Sequence, residues 1–230
     1  MSLKRHIPNT ITCCNLISGC IATYFAFCGQ FWEALIFIIV GAVFDFFDGM
    51  SARLLGVSSP IGKELDSLAD NITFGLAPSA IIFKELTLLA PHEWSWHGAE
   101  PFLAFVMAAF SALRLAKFNL DERQTLGFIG LPTPANALFW GALIAGMGDT
   151  LISLPYASWA ILAASFVSCW LLVCEIPMFA LKFKTWGWQG NEVKYVFVLT
   201  CIPLILLLGV KGIAACIAWY VLLSVITNKQ

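Results

Sequence analysis

The chain has 230 residues, 60% of them hydrophobic and 12% charged, about half the charged share of an average soluble domain. A soluble chain of this make-up lacks the polar surface to cover its core, and a net charge of −1 offers no field to draw nucleic acid, so a soluble enzyme, a nucleic-acid binder and a disordered chain are excluded. The apolar residues come in long blocks rather than in alternation, which disfavours a barrel and leaves an all-α, polytopic helical membrane protein.

A crossing helix needs roughly 20 apolar residues. Eight segments are predicted to cross: 10–28, 31–48, 66–90, 101–116, 134–148, 156–174, 194–208 and 212–227. The first is too long for a signal-peptide core, and no small-x-small site follows it, so it is expected to stay as a span. With eight spans, eleven basic residues fall on the side of the two termini and only Lys84 and Lys211 on the other. Cytoplasmic loops carry the excess of Lys and Arg, so both termini are expected in the cytoplasm, at a cytoplasmic (inner) membrane. No long linker or charge run divides the chain, which reads as one domain over 1–230. Segment 91–100, with Trp94 and Trp96, is the main candidate for an outer loop. The eight cysteines sit in or beside apolar runs, without a CxxC pair, and are expected to be buried free thiols.

The unusual residues lie at the inner end of spans two and three. Five of the fourteen acids fall between Asp45 and Asp70. Asp45 and Asp48 close an apolar run, and a spacing of three puts them on one helix face. Asp66 and Asp70 open the next span with a spacing of four, again one face, and a turn over 54–64 is expected to join the two. Antiparallel helices thus gather four carboxylates at the membrane edge. Such a group needs protons or a cation, and an all-oxygen donor set suits Mg²⁺ or Mn²⁺ rather than zinc. Two such ions make a natural clamp for a diphosphate. Gly49, Ala52 and Gly62 stand one turn from acids of the cluster and leave room for a ligand, and Arg53 can reach a phosphate oxygen. Glu64 is read as a solvated loop acid.

Taken whole, residues 45–70 spell D-x2-D-G-x2-A-R-x8-G-x3-D-x3-D. This resembles the signature of the CDP-alcohol phosphatidyltransferases, with every constrained position filled. The segments Ile7-Pro8-Asn9-Thr10, Asn15-Leu16 with Gly19, 64–70 leading into Phe74-Gly75-Leu76-Ala77-Pro78, 111–119 and 128–134 resemble one branch of that family, the bacterial and archaeal-type phosphatidylserine synthases. The second half of the chain carries little information beyond its apolar blocks.

The resemblance implies a phosphatidyl transfer from CDP-diacylglycerol to the hydroxyl of L-serine, giving phosphatidylserine and CMP, in a homodimer among membrane lipid. It makes Asp45, Asp48 and Asp66 metal ligands, and Asp70 both a ligand and the general base. It gives the CDP moiety to Gly49, Arg53 and Ser59 and to the start of span one, Pro8, Asn9, Thr10 and Ile11. Ala52 and Gly62 complete the expected CDP-binding set. At the inner end of span four, Arg114 and Lys117, followed by Asn119, are expected to meet the carboxylate of the acceptor, with plain membrane anchoring of the two cations as the alternative. Thr133 and Asn136 are candidates for lining that pocket but are read as structural. Other readings are the same chemistry with glycerol 3-phosphate or inositol phosphate, a membrane prenyltransferase, or a cation transporter. Against the last, the acids gather at one interface while the span interiors are apolar.

Overall fold

A chain in a bilayer must satisfy its backbone polar groups within its own segments, and the described residues do so almost wholly through helices. The computed structural model describes residues 6–57, 59–89, 98–121, 128–181 and 187–227. Helix α1 (His6–Phe27) turns through Gly29, at φ +77°, into α2 (Phe31–Leu55). Helix α3 (Pro60–Asp70), a π-turn (Asn71–Leu76) and α4 (Ala77–Leu89) run on as one 30-residue rod. A 3₁₀ segment (Glu100–Phe105) continues as α5 (Val106–Leu120), followed by α6 (Thr133–Ile152), α7 (Ala157–Val173), α8 (Glu192–Leu208) and α9 (Lys211–Thr227). Two short strands, β1 (Phe128–Ile129) and β2 (Pro177–Met178), pair antiparallel with Phe128 opposite Met178.

Counted as rods, the described residues hold eight, one at each predicted segment. Four of these, His6–Phe27, Phe31–Leu55, Pro60–Leu89 and Glu100–Leu120, are long and apolar enough to cross a bilayer. Helices α7, α8 and α9 have 17 residues each, about 26 Å of helix against a hydrocarbon core of about 30 Å. Their outer faces are nevertheless apolar. Helix α8 packs on α9 and has no buried residue, and its Leu206 and Leu207 are 79% and 83% exposed. Such a surface fits lipid and not water.

The third rod forms the centre of the bundle. Its most apolar stretch is 61% buried, against 28–33% for the other three long rods. Phe74, Ile81, Ile82 and Leu86 pack there with Ile38 of α2, Met107 of α5 and Trp140 and Ile144 of α6. A buried polar chain ties α5, α6 and α7. Trp140 Nε1 donates to Ser168 Oγ (3.0 Å), Ser168 Oγ to Asn136 Oδ1 (2.7 Å), and Asn136 Nδ2 to Met107 Sδ (3.3 Å). Asn136 is thus structural, as expected.

Two boundaries differ from the sequence reading. The turn expected over 54–64 is shorter. Helix α2 runs on to Leu55 and stops at Gly56 (φ +62°), where Val57 N donates to Ala52 O, while Ser59 and Pro60 already start α3. The Ser59 hydroxyl accepts from Gly62 N at 3.0 Å, an ordinary N-cap. Asp66 and Asp70 therefore sit inside a helix rather than at its opening, and Glu64 is an exposed helical acid. The cysteines are free, but only Cys169, Cys174 and Cys216 are buried, while Cys20 and Cys28 are exposed on the outside of α1 and the turn that follows. Apolar sequence context does not separate a core-facing thiol from a lipid-facing one. Residues 91–97 of the expected outer loop lie outside the described residues.

Close approach of α1 to the central rod depends on Gly19. A Cβ there would stand 2.8 Å from both Cα and N of Thr73, backbone that cannot swing aside. Gly19→Ala is expected to lose about 1–3 kcal/mol to overpacking. It regains about 1 kcal/mol of helix propensity. The melting midpoint in detergent should fall by a few degrees, about 2–4 °C per kcal/mol at this chain length. An unchanged midpoint would show that the two helices separate there at no cost.

Candidate active site

The site lies where the first turns of α1, the last turns of α2 and the first turns of α3 meet. Helical spacing turns the side chains of Asp45 and Asp48 on α2 toward Asp66 on α3. One oxygen from each of these three carboxylates lies within 4.8 Å of the other two. Asp70, one turn beyond Asp66, is buried at 9% exposure and lies within electrostatic reach of all three. Two contacts from α1 brace the group. Thr12 Oγ1 donates to Asp48 Oδ2 at 2.6 Å, and Asn15 Nδ2 donates to Asp70 Oδ1 at 3.1 Å.

The donor set fits a divalent cation. Three carboxylates this close repel one another unless a positive charge stands among them. Asp66 Oδ1 is buried without a hydrogen-bond partner, an oxygen left over by the protein's own bonding. The donors are hard oxygens throughout, as Mg²⁺ or Mn²⁺ prefers.

Beside the carboxylates opens a cleft of about 270 Å³, lined by Pro8, Asn9, Thr12, Asp48, Gly49, Ala52, Val57, Ser59, Gly62, Lys63 and Asp66. Gly49 has open space where a Cβ would stand, so its lack of a side chain widens the cleft. A Cβ at Gly62 would stand 3.0 Å from both Asn9 Oδ1 and Ser59 Oγ, so a glycine there lets the start of α3 close on α1.

Of the expected CDP-binding residues, the structure brings Pro8, Asn9, Gly49, Ala52, Ser59 and Gly62 to this cleft. Thr10, Ile11 and Arg53 do not line it. At about 100° per residue, Thr10 points opposite the face that carries Pro8, Thr12 and Asn15, and Ile11 flanks that face on the side away from Asn9. Thr10 is exposed, and its hydroxyl donates back to His6 O at 2.8 Å. Arg53 is exposed in the last turn of α2.

The three residues expected to hold the acceptor do not converge. Arg114 is buried at 7% exposure, its guanidinium 5.1 Å from the centre of the Phe118 ring and within electrostatic reach of Asp70. It shares a second, smaller cleft with Lys117, Asp121, Ile129, Glu175 and the end of α7. Asn119 lines neither cleft. Its Nδ2 donates to Ser67 Oγ (2.7 Å) and its carbonyl accepts from Lys63 Nζ (2.9 Å), so it ties α5 to α3.

Thr12, Val57 and Lys63 have no site role in the sequence reading, and Asn15 enters it only within a segment that resembles the family branch. The signal for Thr12 and Asn15 was present as polar residues on the Pro8 face of an otherwise apolar helix. Nothing local marked Val57, which enters only because α2 ends at Gly56.

A bundle of apolar helices with clustered carboxylates beside a cleft describes a membrane-embedded protein with a site that can hold a divalent cation. The sequence profile of the CDP-alcohol phosphatidyltransferase family matches residues 5–171, and the chain belongs to that family. It is 36% identical over 152 residues to the CDP-diacylglycerol–serine O-phosphatidyltransferase of Bacillus subtilis (strain 168), covering 66% of this chain and 77% of that protein. It is 29% identical over 185 residues to the enzyme of the same name from Mycobacterium leprae (strain TN), covering 75% of this chain and 57% of that one. To that of Helicobacter pylori (strain ATCC 700392 / 26695) it is 35% identical over 133 residues, covering 57% of this chain and 54% of that one. The chain thus spans little more than half the length of the latter two relatives.

Proposed function

We propose that the protein transfers the phosphatidyl group of CDP-diacylglycerol to the hydroxyl of L-serine, giving phosphatidylserine and CMP. The observation that carries this reading is the cluster of three carboxylates, two of which, Asp48 and Asp66, line the cleft between α1, α2 and α3. The names of the relatives point to serine as the acceptor. Two ions, Mg²⁺ or Mn²⁺, fit the four aspartates. Bound by Asp45, Asp48, Asp66 and Asp70, they would polarise the diphosphate and offset the charge on departing CMP.

The protein's own groups supply the rest. The cleft beside Gly49 and Ser59 takes the cytidine diphosphate while the acyl chains stay in the bilayer. Asp70 takes the proton of the serine hydroxyl as its oxygen bonds to the lipid-bearing phosphorus. The bond from that phosphorus to the bridging diphosphate oxygen breaks, and CMP leaves with the electron pair. Arg114 pairs with the serine carboxylate, helped by Lys117. A buried guanidinium within electrostatic reach of a general base suits an anionic acceptor. Eight crossings and a cytoplasmic site at the inner membrane complete the reading, supported by the eight rods and by the distribution of basic residues; a homodimer is what the family resemblance implies.

CMP release by the purified protein, with CDP-diacylglycerol and Mg²⁺ or Mn²⁺, tests it across L-serine, glycerol 3-phosphate and inositol phosphate. Release that depends on serine is the expected result. Release with another acceptor alone would overturn the substrate, and no release from folded protein would overturn the activity. In the same assay Arg114→Lys should raise KM for serine about tenfold or more, because a planar two-pronged donor is lost while the charge remains. KM for CDP-diacylglycerol should hold within about threefold, as that ligand lies in the other cleft.

A further inference from the structure

Thr12 and Asn15 stand three residues apart on the inner face of α1, at 3% and 0% exposure. Each reaches an aspartate on a different helix, Asp48 on α2 and Asp70 on α3. We propose that they are positioning residues: each holds one oxygen of its aspartate and thereby sets which carboxylate oxygen is presented to the divalent cation. The proposal rests on the reading above that these aspartates hold such a cation.

The hydroxyl of Thr12 has one proton and two acceptors in range. Asp48 Oδ2 lies at 2.6 Å and Pro8 O at 3.1 Å. A charged acceptor at the shorter distance takes the proton, so Asp48 Oδ2 is engaged and Oδ1 is the freer oxygen. Asn15 presents its amide nitrogen to Asp70 Oδ1. The flipped amide would set oxygen against carboxylate oxygen, so the orientation follows from charge. That bond leaves Asp70 Oδ2 for the cation or the acceptor hydroxyl.

Asn15 is itself held from the far side. Thr73 Oγ1, on the π-turn three residues after Asp70, donates to the Asn15 backbone carbonyl at 3.1 Å. Gly41 leaves room for this arrangement. A Cβ there would stand 3.0 Å from Asn15 Oδ1. α1 and the Asp70 segment are thus bonded in both directions, and a π-turn beside a reactive residue is a common functional device.

Packing alone does not explain these side chains. Asn15 Oδ1 is buried without a hydrogen-bond partner. A leucine of similar size would fill the space without that penalty. The amide is accounted for by its bond to Asp70. Outer donors of this kind orient metal-binding carboxylates and tune their affinity.

The test uses the full-length protein in detergent, with Mn²⁺ as probe, read by electron paramagnetic resonance without substrates. Unfolding lowers the number of Mn²⁺ sites per chain, whereas loss of positioning raises Kd for the sites that remain. Thr12→Val should raise the Mn²⁺ Kd about tenfold or more, and Thr12→Ser, which keeps the donor, should restore it to within about threefold. If the valine variant does not fold, Thr12→Cys, a weaker donor of similar size, takes its place with the same direction expected. Asn15→Leu should lower kcat at saturating Mn²⁺ about tenfold or more, with KM for CDP-diacylglycerol nearly unchanged. An unchanged Mn²⁺ Kd in Thr12→Val or Thr12→Cys overturns the assignment of Thr12. An unchanged kcat in Asn15→Leu, or a fall that only tracks the count of Mn²⁺ sites, overturns that of Asn15. Wild-type protein that binds no Mn²⁺ would instead overturn the metal reading itself.

Discussion

Asp70→Asn is expected to lower CMP release about 10³-fold, with KM for CDP-diacylglycerol within a few fold of wild type. General-base groups contribute roughly 10²–10⁴ to rate, and asparagine keeps the shape while losing the basic oxygen. Asp70 suits the role because it stands apart from the three-carboxylate group yet within its field, buried, and braced by Asn15. The replaced amide can still fill the space beside Asn15, so folding should survive, as an unchanged melting midpoint would show. Initial rates at saturating serine decide the matter. A variant within tenfold of wild type would remove Asp70 from proton transfer and leave it a structural acid.

The second large effect concerns the cation, and it has a sign that structure dictates. Chelation should abolish CMP release, and Mg²⁺ or Mn²⁺ should restore it. Asp66→Asn should be as damaging to turnover as chelation, since Asp66 holds the buried oxygen that no protein donor satisfies. In stability the order should cross. Without metal, replacing one of three crowded carboxylates by an amide removes repulsion on the order of 1–3 kcal/mol, so the chelated variant should melt above chelated wild type. With millimolar Mn²⁺, binding stabilises the wild type by mass action and the order should invert. Melting curves of both proteins with chelator and with Mn²⁺ check this. Parallel curves in the two conditions would mean that Asp66 neither repels its neighbours nor holds a cation.

Much of this was legible along the chain because it is periodic or local. Runs of apolar residues set the helices, since each segment must satisfy its own backbone in lipid. Spacings of three and four placed Asp45 with Asp48 and Asp66 with Asp70, because 3.6 residues make a turn whatever the surroundings. That Asp45 and Asp48 face Asp66 also followed, because so short a turn keeps the two helix ends together, although α2 and α3 each pack on α1 rather than along one another. The ends of that turn were less legible, because Gly, Ser and Pro serve loops and helix caps alike, and here Gly56 ends α2 while Ser59 and Pro60 start α3.

What the sequence by itself determined, then, is a helical membrane protein with four aspartates on facing helices and the family to which that motif belongs. Tertiary structure alone decided which residues of α1 reach those aspartates. It put Pro8 and Asn9 in the cleft and left Thr10 and Ile11 out of its lining, and it made Thr12 and Asn15 the bracing donors. It also separated Arg114, buried over the Phe118 ring and within electrostatic reach of Asp70, from Asn119, spent in tying α5 to α3. The physical reason is range. A helix fixes its own faces through contacts four residues apart, whereas Thr12 meets Asp48 across 36 residues and Asn15 meets Asp70 across 55. Contacts at that separation depend on the rotation of each packed helix about its own axis. In an apolar bundle that rotation is set by where glycines such as Gly19 and Gly41 let neighbours approach, and not by any pattern local to the residues themselves.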